Sequence, residues 1–466
     1  MDPLQTPIGT EAPELRLAPR IHRDRAPLAH SQLQHWNAYR LYERRAIRHV
    51  ASATRLRGQL SIDALRKSLA EIVRRHDALR TRIVIVDQIP AQEISLSDHC
   101  ELEKDDLTAS SESTLETEVQ RRIEQFILAP IDVSTGPLFG LKLLKLRSDE
   151  HVLIVAAEHI VSDVASLNIL LGELLSAYAQ AVKGHAFSLP AVSIQLADYA
   201  VRQRSAQPSW IEQHGAYWQE RLARCQRLRF PESKDLPTPA RTGWGAVSVR
   251  IDRDLKLELL EWCRLRRTPL VRAVFTAYVA LVLRWCNASA GVFQCATHGR
   301  ASPELARAIG YFASVVYPHI ELLEGDRFVD LLNRVTAEYR KALEHADSFY
   351  LETQSPRPEF TRNAVFNWAP QESEINLSDL DDSEYKIACS PVAFPNPILR
   401  NLEKDNEPVM GLRETEDGIV GGVLFPLNRF STDTMERFGR NFLVFIRQLI
   451  RQPEERVSGV FREEPR

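Results

Sequence analysis

The chain has 466 residues, more than one hydrophobic core usually sustains, so two or more subdomains are expected. Its 59 Lys and Arg are interleaved with 62 Asp and Glu, which argues against a nucleic-acid or membrane-surface partner. Six cysteines, at 100, 225, 263, 286, 295 and 389, form no Cys-x-x-Cys pair, so neither a zinc site nor a disulfide framework is indicated. No run of eighteen apolar residues occurs, and the N-terminus lacks the basic-then-apolar order of a signal peptide. A cytoplasmic protein with reduced thiols is expected.

Residues 1–25 hold four prolines and no periodicity, and read as a flexible tail or contact arm. Leu28 to Arg48 is helical, with Trp36 and Tyr39 on one face. Val50 to Leu56 alternates as a strand. Ser61 is a fitting N-cap for a helix to Arg75, whose stripe is Ile62, Leu65, Leu69, Ile72 and Val73. A strand at Ile83 to Val86 follows, then a helix over Ser111 to Phe126. Leu138 to Leu146 reads as a strand able to pair antiparallel with the next one across a turn at Ser148 to Glu150.

The next strand opens the stretch with most chemistry, His151 to Ser166. Val152 to Ala157 is an apolar run of buried-strand length. Glu158, His159 and Asp163 follow in a short turn, and Leu167, Leu170, Leu171, Leu174, Leu175 and Tyr178 then recur at helical spacing. An ionisable turn between two rigid elements is a common place for chemistry. Alone, such a turn is more often a satisfied histidine with a capping aspartate.

Gly184 and Pro190 end that helix and mark a boundary between segments 26–185 and 186–466. Helices are expected over Gln195 to Gln203, Trp210 to Leu222, Asp254 to Arg266, Pro269 to Cys286, Phe328 to Asp347 and Thr432 to Arg451. The Pro269 helix is apolar almost all round and therefore buried. Strands are expected at Ala246 to Ile251, Gly291 to Thr297, His319 to Leu323, Ala364 to Trp368, Val409 to Arg413 and Gly418 to Leu424. Helices mixed with hairpins in both halves argue for an α+β fold of two similar layers facing a cleft, rather than a doubly wound sheet.

In this order, a set of short motifs resembles the condensation domains of nonribosomal peptide synthetases over residues 26 to 452. Pro27, Leu28, Gln32 and Trp36 match the family's opening motif, and Arg75 to Thr81 is similar to its Arg-His-Glu-x-Leu-Arg-Thr motif. Glu158 to Val164 sits at its His-His-x-x-x-Asp-Gly signature. Gln195, Asp198, Tyr217-Trp218, Gly299-Arg300, Pro303 to Leu305, Ile309-Gly310, Phe312, His345 with Asp347, and Phe366-Asn367-Trp368 with Pro370 echo later blocks. Each motif is weak; together they are specific.

The resemblance implies two chloramphenicol-acetyltransferase-like halves in a V-shaped pseudo-dimer, with a central tunnel past the signature. It implies acyl transfer from a carrier protein's phosphopantetheine thioester to an amine or hydroxyl acceptor. His159 would then be the catalytic residue, since an imidazole titrating near neutrality can accept the nucleophile's proton. Asp163 and Arg80 would form a structural pair. Glu158 replaces the first signature histidine and, on the strand's opposite face, would join the supporting shell, where a buried carboxylate needs a donor. Val164 replaces the glycine; its backbone N–H remains available to an oxyanion. Ser166, Asn367 and Trp368 are candidates for the tunnel or acceptor side. No metal and no bound cofactor are expected. The chain carries no carrier-domain or adenylation motif, so the carrier is expected in trans, with a monomeric enzyme acting in specialised-metabolite biosynthesis. The alternatives are a coenzyme A-dependent acyltransferase and a catalytically silent recruitment module.

Overall fold

The computed structural model describes residues 19, 24–41, 49–97, 100–224, 228–234, 236, 243–300, 302–346, 364–369, 387–392 and 407–457. Most of the expected N-terminal tail lies outside them. The N-terminal layer begins with a short strand β1 (Arg25–Pro27), helix α1 (His30–Leu41) and strand β2 (His49–Gly58). Helix α2 (Ile62–Arg75) starts where Ser61 Oγ accepts the Ala64 N–H, as its sequence signalled. A 3-10 turn, strands β3 (Thr81–Val86), β4 (Ile89–Ile94) and β5 (Leu102–Asp106), and helix α3 (Glu112–Ile127) come next. The hairpin of β6 (Phe139–Arg147) and β7 (Glu150–Glu158) leads through the His159 turn into α4 (Val164–Val182).

The C-terminal layer runs through α5 (Leu196–Arg224), β8 (Trp244–Asp252), α6 (Arg253–Arg266), α7 (Leu270–Trp285) and β9 (Ala290–Thr297). Short strands β10 (Ser314–Val316) and β11 (His319–Glu321) precede α8 (Phe328–Glu344). Strands β12 (Ala364–Ala369), β13 (Ile387–Pro391), β14 (Val409–Thr415) and β15 (Gly418–Pro426) lead to the final helix α9 (Thr432–Arg451). Helix α5 is one element where the sequence suggested two. It continues through Pro208, and the hydroxyls of Ser205 and Ser209 on either side fold back onto the carbonyls of Arg202 and Ala206.

Two main sheets carry the layers among the described residues. The N-terminal one has the order β13-β2-β7-β6-β5, and the C-terminal one β10-β9-β12-β14-β15-β8, with β11 also on β9. In the first, β7 is central and buried at every position, which is why its sequence is apolar without alternation. In the second, α7 lies buried against β9, β12 and α9, as its all-round apolar character required. The architecture is the expected α+β pair of layers.

The two layers exchange segments. Strand β13, late in the chain, pairs antiparallel with β2 from Ile387↔Gly58 to Pro391↔Thr54. Leu305, Ala308, Ile309 and Phe312 bury themselves in the N-terminal core beside Leu167 and Leu196. These exchanges place the loop from residue 302 to residue 313 against the turn that follows β7.

Candidate active site

The turn after β7 is held from three sides. Within it, Val161 N–H donates to the Glu158 carbonyl at 3.1 Å. From α1, the buried Gln32 amide donates to the Ile160 carbonyl at 2.9 Å, while its own oxygen accepts the Ala29 N–H. From below, Asp163 caps α4 by accepting the Ser166 N–H at 2.8 Å. A chain segment this fully bonded can present one side chain in a fixed direction.

That side chain is His159. Its Nδ1 lies 2.8 Å from the Ser162 carbonyl oxygen, which can only accept. Nδ1 therefore holds the proton, and the lone pair of the neutral ring sits on Nε2. The ring keeps a little solvent access but packs against Tyr311, 4.4 Å between centroids, and His35, 5.7 Å away. Dehydration in this setting pushes its pKa below the ordinary 6.5, against the opposing pull of the Ser162 carbonyl and the Asp163 charge. The result is an imidazole kept as a free base near neutrality, which is the form that accepts a proton.

Asp163 does not pair with Arg80. Its carboxylate receives Arg300 Nη1 on Oδ2 and Nη2 on Oδ1, both at 2.9 Å, and also the N–H groups of Phe312 at 3.1 Å and Ala313 at 3.0 Å. Arg80 turns the other way. It donates to the carbonyls of Val73 and Ser95 and to Asp77 Oδ1 at 2.7 Å. The reason is local: Arg80 ends the 3-10 turn after α2 and finds that helix's open C-terminal carbonyls first. The structural role expected of Asp163 is thus filled across the two layers, by Arg300.

Ser166 is a second correction. It is fully buried rather than lining a substrate passage, with Oγ 2.8 Å from both Asp163 Oδ1 and the Gly310 carbonyl, and it accepts the Gly310 N–H at 3.0 Å. Val164 is half-exposed at the first position of α4, where no described acceptor takes its N–H. On β12, Asn367 is exposed and Trp368 packs on the C-terminal core; neither joins the cluster around His159. Pro370 and Asp347 lie outside the described residues. His345 stacks on Tyr217 at 3.8 Å, and its carbonyl accepts Trp218 Nε1–H.

Glu158 does enter the supporting shell. It is 2% exposed, with Oε1 3.4 Å from His49 Nε2 and Oε2 3.8 Å from His35 Nε2. Burial pushes its carboxyl up, yet the two imidazoles outweigh that and hold it below the ordinary carboxylate range. His35, His49 and Tyr311 carried no readable signal: one precedes Trp36 in a helix, one begins a strand, and one sits between Gly310 and Phe312. Among the described residues no group of His, Cys, Asp and Glu is arranged to hold a metal.

Two α/β layers joined at a latched histidine turn define an acetyltransferase-like fold of the condensation type. The condensation domain family model matches residues 22–462, and the chain belongs to that family. It is 26% identical to a linear gramicidin synthase polypeptide of Brevibacillus parabrevis over 475 residues, covering 97% of this chain and 9% of that protein. Against a second polypeptide of the same synthase the identity is 29%, with 97% of this chain and 9% of the relative covered. The chain thus spans under a tenth of these relatives. Among solved structures, an epimerization domain of tyrocidine synthetase B superposes with TM-score 0.78 at 19% identity, covering 94% of this chain and 99% of its own. The X-domain of teicoplanin biosynthesis in complex with OxyB gives 0.77 at 22%, covering 96% and 98%.

Proposed function

We propose that this chain transfers an acyl group from a phosphopantetheine thioester on a separate carrier protein to an amine or hydroxyl acceptor, within specialised-metabolite assembly. The observation that carries the reading is His159: one nitrogen is committed to the Ser162 carbonyl, and the ring is kept neutral, so Nε2 serves as base. In the reaction the acceptor nitrogen or oxygen bonds to the thioester carbon as its proton passes to His159 Nε2. The oxyanion forms at the N-terminus of α4, where the Val164 N–H is available. Collapse breaks the carbon–sulfur bond, and the departing thiolate takes the proton back from the imidazolium. Amide and ester products both fit this chemistry. One relative is a beauvericin nonribosomal cyclodepsipeptide synthetase of Beauveria bassiana, 26% identical over 87% of this chain.

The test is to load one acyl group on a carrier protein and, separately, on coenzyme A, and to compare product formation with amine and alcohol acceptors. Product from the carrier thioester, lost in His159→Ala while carrier binding persists, is the expected result. Turnover from coenzyme A alone points to the coenzyme A acyltransferase instead. Carrier or partner binding with no turnover in any combination leaves a recruitment module.

A further inference from the structure

A second imidazole stands beside the first. His35 on α1 has its ring 5.7 Å from that of His159 and 5.8 Å from Tyr311, and its Nε2 faces Glu158 Oε2 at 3.8 Å. Glu158 also faces His49 on β2, whose nitrogens both look at acceptors: Nδ1 at the Ile127 carbonyl, 2.8 Å away, and Nε2 at Glu158 Oε1, 3.4 Å away. Both rings stand beside the Glu158 carboxylate and hold it below the ordinary carboxylate range, so it is an anion near neutrality. The other groups around the pair are Tyr311, from the loop before β10, and Asp163, whose charge Arg300 balances. His298, at the start of that loop, is exposed and accepts the Arg300 N–H on Nδ1 at 3.1 Å; partial dehydration first and that guanidinium second lower its pKa from the ordinary 6.5. Among the described residues no carboxylate lies within ion-pair distance of His159 itself.

We infer that His35 is a positioning residue that takes up a proton before His159 does: as pH falls, this ring, which faces Glu158 and borders His159, charges first, and that charge keeps His159 a free base. The inference builds on the reading of His159 as the base of acyl transfer. It gives Glu158 a purpose at a position where the family signature has histidine, since the carboxylate draws the proton to the neighbouring ring and away from the reacting one. An ion pair in a dehydrated pocket holds a proton more firmly than a ring whose partners are a carbonyl and two aromatic neighbours. The protonated His35 then repels a second proton on His159.

The experiment is a pH titration of the intact protein, with labelled histidines followed by NMR, for the wild type, His35→Leu and His35→Gln. In the wild type His35 should titrate at higher pH than His159. In His35→Leu the His159 midpoint should rise by about one to two pH units, the effect expected of removing one charge some 6 Å away. The acid limb of acyl transfer should rise with it, so that one unit below the wild-type limb the rate falls about ten- to a hundredfold further. Gln is the fallback if Leu perturbs α1, and Glu158→Gln should lower the His35 midpoint. A His159 midpoint unmoved by either substitution, or His159 charging before His35 in the wild type, would overturn the inference. If the midpoints move as stated but no thioester is turned over, the coupling stands and the acyl-transfer reading fails.

Discussion

Arg300 closes on Asp163 with two parallel hydrogen bonds of 2.9 Å, and this pair ties the signature turn of one layer to the loop of the other. Both side chains are almost wholly buried, so neither is stable without its partner. Removing Asp163 leaves a guanidinium in low dielectric and strands the N–H groups of Phe312 and Ala313. Breaking a buried pair from one side costs about 3–5 kcal/mol. Asp163→Ala should therefore lower the unfolding free energy in urea by that much. Asp163→Asn should lose less, because its amide oxygen still accepts. Arg80→Ala should leave the turn's geometry intact and cost only its local cap on α2. If Arg80→Ala proved the more damaging of the two alanines, the latch would be misplaced.

The protonation of His159 fixes a pH dependence for both rate and stability. Its pKa is lowered from 6.5, so activity needs the neutral ring and should fall on the acid side, through a midpoint below that value. For stability the unfolded chain binds the proton first. Between the folded midpoint and the unfolded value near 6.5, the unfolded state carries more protons, so stability rises with pH across that window. The free energy lost on acidification should be partly recovered in His159→Phe, which has nothing to protonate. Denaturant titrations at pH 5 and pH 7 on both proteins measure this, and equal slopes would contradict it.

His76 serves the fold through Glu173. Its Nε2 lies 2.9 Å from the carboxylate, joining α2 to α4 in a region where the imidazole is fully buried. Burial pushes the Glu173 carboxyl up, but His76 and then Arg75 bring it below the ordinary 4.5. A carboxylate depressed in the folded state contributes stability above its unfolded value, and that stability is lost as pH falls through the folded one. His76→Ala should cost about 1.5–3 kcal/mol, the range for a hydrogen bond to a charged group, while product formed per folded molecule is unchanged. Lost turnover at full stability would instead place His76 in the chemistry.

The extent to which this fold could be read beforehand follows from the range of each interaction. Helix α2 was legible because its cap, Ser61, and its apolar stripe are local, and β7 because a central strand needs only an apolar run. Strand β13 was not, since its place is decided by β2, more than three hundred residues earlier, and β5 hid among Glu103, Lys104, Asp105 and Asp106. The same limit applies to the site. His159 and Asp163 lie in one turn and could be singled out together. The partner of Asp163 could not, because several arginines of the motifs offered the same charge and only the packing of the 302–313 loop selects Arg300. A histidine inside a helix or at a strand's start reads as core, so His35 and His49 carried no mark.

Gly299 shows how closely that loop is fitted. Its φ of +64° is in the left-handed region, where a side chain is disfavoured. A Cβ built there would run into the Phe312 carbonyl oxygen, a backbone atom that cannot swing away. Phe312 is buried in the N-terminal core, and its N–H is bound to Asp163, so the loop has no direction in which to yield. Gly299→Ala should consequently displace Arg300 from Asp163. The loss should be several kcal/mol, combining about 1 kcal/mol or more of backbone strain with part of the buried pair. In a double-mutant cycle with Arg300→Ala, the two losses should be strongly non-additive, because both remove the same contact. Additive losses would mean that the glycine serves the loop alone and that Arg300 holds its place without it.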